Sequence, residues 1–567
     1  MPFVPAPVVQ SITAYAVPKA PAPTDLALDG NEGARPDASL YDTLTDVEAL
    51  RRYPNAKPLE AKLAARHGLR PEQVVVCCGA DEALDRCCRA ALCPGREAIL
   101  PRPIFPLTRH FSILAGATLV EPPWEGEPFP TDAVLAAITP NTALIAITSP
   151  NNPTGGVISA ESLCAISAAA PDAMIVVDLA YVEFAEEDLT SVALTLPNAV
   201  VLRTLSKAWG LAGARVGYAA GPAALIRLLR ATGLVYPVSG PSLALAERWL
   251  DEGEPHLRRF VAQVREDRAR MTEALRAAGV TTLSSQANFV CAALPDPIWA
   301  RDAFAGLGIA VRALPKPGGG GYLRVSTPGD AATTDRLVCA INAVFRPEAL
   351  LFDLDGVLAD VSGSYRAAIF ATAASYGVTL TTEALVAAKE AGDANNDWVL
   401  TQRLLAAAGV EAPLPEVTAR FEALYQGDET TPGLRLTETL RCEVAALTAL
   451  AARMPLAIVT GRPRRDAERF LAEQGVLGLF KTLVCMEDAP LKPDPAPVRL
   501  ALARLGVKAA WMFGDTPDDV RAARSAGVLP LGVCAPQDPF ERAQHALTAA
   551  GAARVFATPL AFVELLP

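Results

Sequence analysis

Histidine, basic residues and long apolar runs are scarce in this sequence, and each shortage excludes a class of protein. Only four histidines occur in 567 residues, far apart, so we expect no histidine-rich metal site. Asp and Glu number 62 against 51 Lys and Arg, and the net charge of −11 argues against nucleic acid or an anionic membrane surface as a partner. No stretch of about 20 residues is free of charges and of Pro or Gly, so no membrane span is predicted.

The cysteines predict a reducing compartment. Their number is eleven, which is odd, and the doublets Cys77-Cys78 and Cys87-Cys88 lack CxxC spacing. We interpret them as reduced thiols of a cytoplasmic protein. Residues 1–10 contain neither a basic segment nor a long apolar run, so we expect no secretory signal there. The length of the chain predicts two or three domains.

The pattern of apolar residues predicts an α/β fold. Short apolar runs alternate with longer amphipathic segments, which is typical of a mostly parallel sheet covered by helices. A long charged helix is predicted over residues 258–278, and at residues 350–354 the pattern restarts with an apolar strand that leads into two aspartates. The other predicted strands cover residues 74–78, 143–148, 174–178, 200–203 and 216–219.

An aspartate, a tyrosine and a lysine follow adjacent predicted strands of the first half. Asp178 ends one strand, Tyr181 comes three residues later, and Lys207 follows the next strand. A pyridine ring used as an electron sink needs a carboxylate at its ring nitrogen, a donor at its phenolate oxygen and an amine. A phosphate on that ring needs N–H groups at a helix start, a hydroxyl and a cation. The sequence offers Gly79-Ala80-Asp81, Ser206 and Arg215 for these.

Taken together, several segments resemble the fold-type I pyridoxal-phosphate aminotransferases. They are residues 149–155 (SPNNPTG), 178–181 (DLAY) and 206–215 (SKAWGLAGAR). Four further motifs narrow the resemblance to the histidinol-phosphate aminotransferase branch: residues 29–33 (DGNEG), 52–54 (RYP), 79–82 (GADE) and 322–325 (YLRV). The resemblance implies an aminotransferase over residues 1–347. It has a large α/β domain at about 30–255, and a small αβ domain built from the N-terminal arm and about 256–347.

The resemblance also implies the residues that bind pyridoxal 5'-phosphate. Lys207 binds the cofactor covalently and then moves a proton, while Asp178 keeps the pyridine nitrogen protonated. Asn152 and Tyr181 hydrogen-bond the phenolic oxygen. Tyr53 matches a tyrosine that reaches the cofactor phosphate of the neighbouring subunit, which implies a homodimer. The residues that match the phosphate-binding positions are Ala80, Asp81, Thr204, Ser206 and Arg215.

The substrate residues that the resemblance implies lie at the other end of the site. Arg324 matches the arginine that binds the substrate anion, and Arg312 matches a second anion contact. Two arginines suit a pocket that accepts both a substrate phosphate and the carboxylate of glutamate. Tyr15 and Asn31 match further substrate contacts.

Two positions depart from the family pattern. Thr108 stands where an aromatic residue usually stacks on the ring, so His110 or Phe111 would have to stack instead. Leu179 replaces the glutamate of the usual Asp-Glu-Ala-Tyr run. The branch also contains threonine-phosphate decarboxylases and aromatic aminotransferases, so decarboxylation, or transamination of another phosphorylated or aromatic amino compound, stays open.

In the second half, paired aspartates follow the predicted strand at residues 350–354. Asp353 and Asp355 are two residues apart, so both carboxylates can face one site. Further along the chain, Thr460 stands at another strand end and Lys492 supplies a cation. Residues 513–519 (FGDTPDD) add oxygen ligands of the kind that Mg²⁺ prefers.

This set resembles the haloacid dehalogenase-like phosphohydrolases, which implies a Rossmannoid domain over residues 348–567. Asp353 is then the nucleophile that forms an aspartyl-phosphate, and Asp355 is the general acid and base. Thr460 and Lys492 bind the phosphoryl group. Residues 364–441 match the position of a helical cap, which sets substrate choice in this superfamily and is called the cap below. The implied Mg²⁺ ligands are Asp353, the Asp355 carbonyl, Asp515 and, in support, Asp519.

The two reactions would be consecutive in histidine biosynthesis: transamination of imidazole-acetol phosphate, then hydrolysis of histidinol phosphate. The histidinol-phosphate phosphatases of this superfamily, however, lack a large cap and carry a Cys/His zinc loop. The phosphatase substrate therefore stays open, as does a purely binding or regulatory role for this domain. Within the cap, the polar runs at residues 395–398 (NNDW) and 402–403 (QR) either contact substrate or form a solvated face.

Overall fold

The computed structural model describes residues 5–10, 12–45, 48–392 and 395–566. They form two compact units, and each unit contains more than one segment of the chain. The first unit consists of residues up to 18, 28–297 and 312–336, and the second of residues 19–27, 298–311 and 337 onward. The domain bounds given above remain a prediction. No helix in the described part of the chain is long and apolar enough to cross a membrane.

A seven-stranded sheet forms the centre of the first unit and confirms the predicted α/β class. All neighbouring strands are parallel except Val216–Ala220, which is antiparallel to both of its neighbours. The central strands are buried along their whole length, as expected for a sheet covered on both faces. All five strands predicted in this half are present within one residue of their bounds. The order across the sheet is Val74–Cys78, Val216–Ala220, Ala199–Thr204, Met174–Asp178, Thr142–Thr148, Glu97–Ile99 and Thr118–Val120.

A smaller antiparallel sheet and a set of helices complete the first unit. The sheet has the order Arg312–Pro315, Gly321–Ser326, Phe289–Leu294 and Thr281–Thr282. The long helix begins at Glu254, four residues before its predicted start, because Pro255 is tolerated in a first turn. The helices are Pro7–Gln10, Glu48–Arg51, Lys57–Arg66, Gly79–Ala91, Pro106–Leu114, Thr131–Ala136, Ala160–Ala169, Thr190–Thr195, Ala223–Thr232, Gly240–Glu252 and Glu254–Ala277.

The second unit has its own six-stranded parallel sheet. Its order is Phe480–Val484, Leu456–Val459, Ala349–Phe352, Ala510–Gly514, Leu529–Val533 and Val555–Phe556. The prediction that the central strand runs to residue 354 is wrong, because the strand ends at Phe352. A turn begins immediately afterwards, in which the Leu358 N–H donates to the Leu354 carbonyl and Gly356 adopts a φ of 73°. Asp353 therefore lies just outside the strand.

Four helices form the cap of the second unit. Both connections to the cap pass through a short antiparallel pair, Ala359–Asp360 with Thr439–Leu440. The cap helices are Tyr365–Ser375, Thr382–Glu390, Asp397–Ala407 and Leu414–Gln426. The other helices of this unit are Pro297–Gly306 and Ala331–Phe345, which begin in the first unit, and Val444–Arg453, Arg464–Glu473, Ala496–Leu505, Pro517–Ser525 and Phe540–Ala550.

Trp511 packs the second unit around its sheet. It lies on the strand Ala510–Gly514 and is completely buried. Its indole N–H donates to the Ala343 carbonyl at 2.7 Å, and its ring packs edge-on against Trp299 at 5.7 Å between centroids. The residues near 299 and 343 are thus part of the core of this unit.

Candidate active sites

A cavity of about 250 Å³ lies at the carboxyl ends of the central strands of the first unit. This edge is where open α/β sheets bind their ligands, because the strands are covered on both faces elsewhere. Thirteen of the residues singled out from the sequence line the cavity. They are Tyr15, Asn31, Ala80, Asp81, Asn152, Asp178, Tyr181, Thr204, Ser206, Lys207, Arg215, Arg312 and Arg324.

Asp178 is the buried acid of this cavity. Its carboxylate accepts hydrogen bonds from the Ala180 N–H at 3.1 Å and the Thr148 hydroxyl at 3.4 Å. Burial, with a smaller contribution from Asp81, raises the pKa of Asp178 to about 6. The two hydrogen bonds to Asp178 do not offset the cost of burying its charge. A protonated ring nitrogen would offset it, because it supplies both a hydrogen-bond donor and a positive charge.

Lys207 and Tyr181 line the same cavity as Asp178. The Lys207 ammonium donates to the Gly30 carbonyl at 3.0 Å and lies 5.8 Å from the centre of the Tyr181 ring. The Tyr181 hydroxyl accepts from the side-chain amides of Asn31 at 3.2 Å and Asn152 at 3.3 Å. These side chains leave an amine and a phenol pointing into one cavity, which fits a cofactor that carries an aldehyde and a phenolic oxygen.

The start of the helix Gly79–Ala91 closes one end of the cavity. Gly79 has a φ of 77°, and a Cβ there would lie 2.6 Å from the Arg215 guanidinium, so the approach requires glycine. Arg215 pairs with Asp81 at 3.1 Å and reaches the Ser206 hydroxyl at 3.5 Å. Ser206 also accepts from the Thr204 hydroxyl at 2.9 Å. The free N–H groups of a helix start, two hydroxyls and a guanidinium together fit a phosphate.

Two buried arginines lie at the opposite end. Arg312 and Arg324 are paired in register on adjacent antiparallel strands. Arg324 donates to Asn152 Oδ1 at 2.7 Å and the Asp29 carbonyl at 2.6 Å, and Arg312 donates to the Tyr15 hydroxyl at 3.4 Å. Arg312 Nη1 and Arg324 Nε are buried and have no acceptor in the described part of the chain. Unsatisfied guanidinium donors in a cavity wall fit an anionic substrate.

Two expectations about aromatic residues have different outcomes. Thr108 is 1% exposed inside the helix Pro106–Leu114 and does not line the cavity; neither do His110 and Phe111. Phe105, just before that helix, does line the cavity and is therefore our candidate for the aromatic residue that stacks on the ring. Tyr53 is 82% exposed and lies outside the cavity of its own chain.

In the second unit, three carboxylates converge at the carboxyl end of the sheet. Asp353 follows the central strand and Asp515 follows the strand Ala510–Gly514, while Asp519 lies in the first turn of the helix Pro517–Ser525. One oxygen of each lies within 4.8 Å of the others. Burial raises the pKa of Asp353 and of Asp515, and Asp519 raises both further. Three crowded acids, two of them buried and one partly buried, fit a divalent cation with oxygen ligands.

Lys492 supplies the positive charge beside these acids. Its ammonium donates to Asp353 Oδ1 at 2.8 Å and the Val459 carbonyl at 3.0 Å, and it pairs with Asp519. Burial alone would lower the pKa of Lys492, but the two aspartates raise it above its ordinary value. Thr460 is buried at the end of the neighbouring strand Leu456–Val459. The Lys492 ammonium and the Thr460 hydroxyl thus both lie at the end of the strand Leu456–Val459. A cation and a hydroxyl are the groups that bind a phosphoryl group.

Asp355 is held apart from the three carboxylates by Arg462, which the sequence did not single out. Arg462 Nε donates to Asp355 Oδ1 at 2.6 Å, and Nη1 donates to Glu438 at 2.9 Å. Glu438 also accepts from Ser364 at 2.8 Å and Tyr425 at 3.1 Å. Arg462 is 1% exposed, so its ion pairs with Asp355 and Glu438 are shielded from water. Its only sequence signal is its place two residues after Thr460.

A family model for class I and II aminotransferases matches residues 36–341, more than half of the chain. The chain belongs to this family. A second model, for haloacid dehalogenase-like hydrolases, matches residues 347–527. The chain is therefore an enzyme that joins an aminotransferase to a hydrolase of this type. The cofactors of these two families are pyridoxal 5'-phosphate and Mg²⁺, and the residues described above fit both.

The relatives each match part of this chain. A protein of Phytophthora nicotianae named imidazoleglycerol-phosphate dehydratase is 50% identical over 198 residues, 34% of this chain and 44% of that protein. A histidinol-phosphate aminotransferase of Xanthomonas euvesicatoria is 38% identical over 303 residues, 51% of this chain and 82% of that protein. The solved structure of the Sinorhizobium meliloti histidinol-phosphate aminotransferase in complex with pyridoxal-5'-phosphate has a TM-score of 0.54 and 24% identity. It covers 60% of this chain and 97% of its own, and it shows the shared fold.

The raised pKa of Asp178 predicts a pH dependence of the cofactor-free aminotransferase. The folded state holds a proton on Asp178 up to about pH 6, whereas the unfolded state loses it near 3.8. The free energy of unfolding should therefore fall by about 1 kcal/mol more in the wild type than in Asp178→Asn between pH 5 and 7.5. Urea titrations at the two pH values measure this free energy. The same fall between pH 5 and 7.5 in both proteins would contradict the prediction.

The three crowded carboxylates predict that Mg²⁺ stabilises the second unit. At about one hundred times its Kd, the ion should raise the free energy of unfolding by about 2.7 kcal/mol. Asp515→Asn should abolish this increment, because it removes one ligand and relieves the repulsion that the ion offsets. Thermal unfolding with and without Mg²⁺ measures the effect, with Glu541→Gln, an exposed change in the same unit, as the control. The same increment in Asp515→Asn and Glu541→Gln would place the ion elsewhere.

Proposed function

We propose that this enzyme carries out two reactions on related compounds. The first site transfers an amino group between glutamate and imidazole-acetol phosphate, which gives histidinol phosphate and 2-oxoglutarate. The second site hydrolyses a phosphate monoester, for which histidinol phosphate is our first candidate. The observation that carries the proposal is the joining of a cavity with two unsatisfied buried arginines to a site with three convergent carboxylates and a lysine.

In the first site, the residues divide the work between the two ends of the cavity. The cofactor supplies an electron sink for the bond that is cleaved at the substrate α-carbon. Lys207 is the amine of this cavity, so it would take the proton from the α-carbon of the amino substrate and deliver it to the cofactor, and move it in the opposite direction for the oxo substrate. Asp178 holds the proton on the ring nitrogen. Arg324 and Arg312 bind the anionic group of each substrate in turn, the carboxylate of glutamate and the phosphate of the oxo compound.

In the second site, Asp353 and Asp355 act in two steps. An oxygen of Asp353 attacks phosphorus, the bond to the leaving oxygen breaks, and Asp355 gives that oxygen a proton. Asp355 then takes a proton from a water molecule, which attacks phosphorus and releases Asp353 and inorganic phosphate. Lys492 and Thr460 hold the phosphoryl oxygens throughout. Asp353, Asp515 and Asp519 would hold Mg²⁺, which would offset the negative charge of those oxygens.

The relatives support the pairing of these reactions, and the cap supports an alternative. Proteins named histidinol-phosphate aminotransferase and imidazoleglycerol-phosphate dehydratase are both relatives of this chain, which favours a role in histidine biosynthesis. The four cap helices, in contrast, favour a phosphatase substrate other than that of the uncapped histidinol-phosphate phosphatases. The alternative is therefore the same aminotransferase with a phosphatase for another phosphorylated metabolite.

We also propose that the enzyme is a homodimer that works in the cytoplasm. Tyr53 lies outside its own cavity and stacks on Tyr236 at 4.7 Å, beside the exposed Leu234 and Val235. An exposed apolar patch next to a residue expected to reach a second cofactor supports a contact with another copy. All eleven cysteines are unpaired, which supports a reducing compartment.

The two activities can be separated in one incubation. With histidinol phosphate, 2-oxoglutarate, pyridoxal 5'-phosphate and Mg²⁺, we expect both glutamate and inorganic phosphate. Lys207→Ala should abolish glutamate formation alone, because it removes the amine, and Asp353→Asn should abolish phosphate release alone. Each variant is the control for the other. Glutamate without phosphate would favour the alternative substrate, and the absence of both would contradict the proposed pathway.

Mixing two inactive variants tests the dimer. Tyr53→Ala should weaken cofactor binding and activity, and Lys207→Ala should be inactive. If Tyr53 acts on the partner's site, a mixed dimer contains one site with both residues intact. Random reassociation of equal amounts should then recover about one quarter of the wild-type transaminase activity, because half the dimers are mixed and half their sites are intact. No recovery after verified exchange would place Tyr53 in its own site or exclude the dimer.

A further inference from the structure

A pocket lies between Asp355 and the cap, where the leaving group of a phosphate monoester has to sit. Asp355 gives its proton to the leaving oxygen in the proposed reaction, so the rest of that group extends from Asp355 away from the phosphoryl site. The walls of the pocket come from the cap and from the loop after Thr460. They are Asp355, Tyr365, Asn395, Asn396, Asp397, Trp398, Gly461, Arg462, Pro463 and Met486.

Most polar groups of this pocket already have partners. Arg462 forms ion pairs with Asp355 and Glu438, so its positive charge is offset within the protein. The Asn396 side chain accepts from the N–H groups of Trp398 and Val399 and caps the helix Asp397–Ala407. The Asn395 amide donates to the Lys492 carbonyl and to Asp518, each at 3.3 Å. These groups build the pocket and leave little capacity to bind a substrate.

The Tyr365 hydroxyl and Arg462 Nη2 make no hydrogen bond in the described part of the chain, and neither do two groups at the start of the cap helix Asp397–Ala407. The Asp397 carboxylate forms no hydrogen bond or ion pair with any described residue, and burial raises its pKa to about 6. Lys389, the nearest cation, is shared with Asp515 and Asp538. The Trp398 indole N–H is shielded from solvent and has no acceptor in the described part of the chain. An anion and a donor that lack hydrogen-bond partners among the described residues thus face a pocket whose one lining cation, Arg462, is already paired.

We propose that Asp397 and Trp398 select phosphate monoesters whose leaving group carries an ammonium or a similar N–H cation. The inference rests on the phosphatase function proposed above and specifies its substrate class. The cation donates to Asp397, and an acceptor atom of the same group satisfies the Trp398 N–H. A leaving group with a carboxylate is disfavoured, because it would meet Asp397 with no free cation to offset the repulsion.

A matched series of esters tests this selection. The esters are 3-aminopropyl phosphate, butyl phosphate and 3-phosphooxypropanoate, which carry a positive, a neutral and a negative end on similar chains. For the full-length enzyme with Mg²⁺, we expect kcat/KM to fall in that order. Asp397→Asn should lower kcat/KM for the ammonium ester about 10- to 100-fold, mainly through KM, because it removes one charged hydrogen bond. Its effect on butyl phosphate should be less than twofold.

The controls separate selection from a structural role. Glu416→Gln removes an exposed acid from the first turn of another cap helix and should change none of the three rates. Asp397→Ser provides a second variant that still suits a helix start. An equal loss on all three esters would show that Asp397 only stabilises the cap, and a wild-type preference for the neutral or anionic ester would overturn the inference. If the wild type hydrolyses neither these esters nor p-nitrophenyl phosphate, the phosphatase function fails and the inference falls with it.

Discussion

A parallel sheet covered on both faces can carry polar side chains only where its strands end, and both sites of this enzyme follow from that constraint. The strands Met174–Asp178 and Ala510–Gly514 are buried along their whole length. Their side chains are apolar up to the last position or two, since a polar group in the sheet interior would have no partner. Asp178 and Asp515 stand where each strand gives way to a loop, so the fold gathers reactive groups along one edge of each sheet.

Both edges also contain carboxylates that the fold shields from water. Asp178 in the first site and Asp353 and Asp519 in the second are held away from water by the same packing that forms the core, and Asp515 is partly buried beside them. The raised pKa values of Asp178, Asp353 and Asp515 reflect the free energy that this burial costs. A pyridinium nitrogen in the first site and a magnesium ion in the second would each supply a positive charge beside these carboxylates. Ligand binding and folding stability are therefore linked in both units.

Residues at strand ends could be predicted because their positions follow from local periodicity. Asp178, Lys207 and Asp353 come directly after or within three residues of apolar runs, and those runs are the strands observed. Phe105 could not be predicted in this way, because its placement depends on where the following helix begins. The pairing of Arg462 with Asp355 joins residues 107 positions apart, and no local pattern encodes such a contact.

The packing of Trp511 limits how this chain can be divided. Its indole N–H needs the Ala343 carbonyl and its ring needs Trp299, and both lie before the point where the hydrolase motif begins. A recombinant fragment that starts at residue 348 would expose one face of this ring and leave a buried donor unpaired. A fragment meant to fold alone therefore has to retain the other segments of the second unit, which are residues 19–27, 298–311 and 337–347.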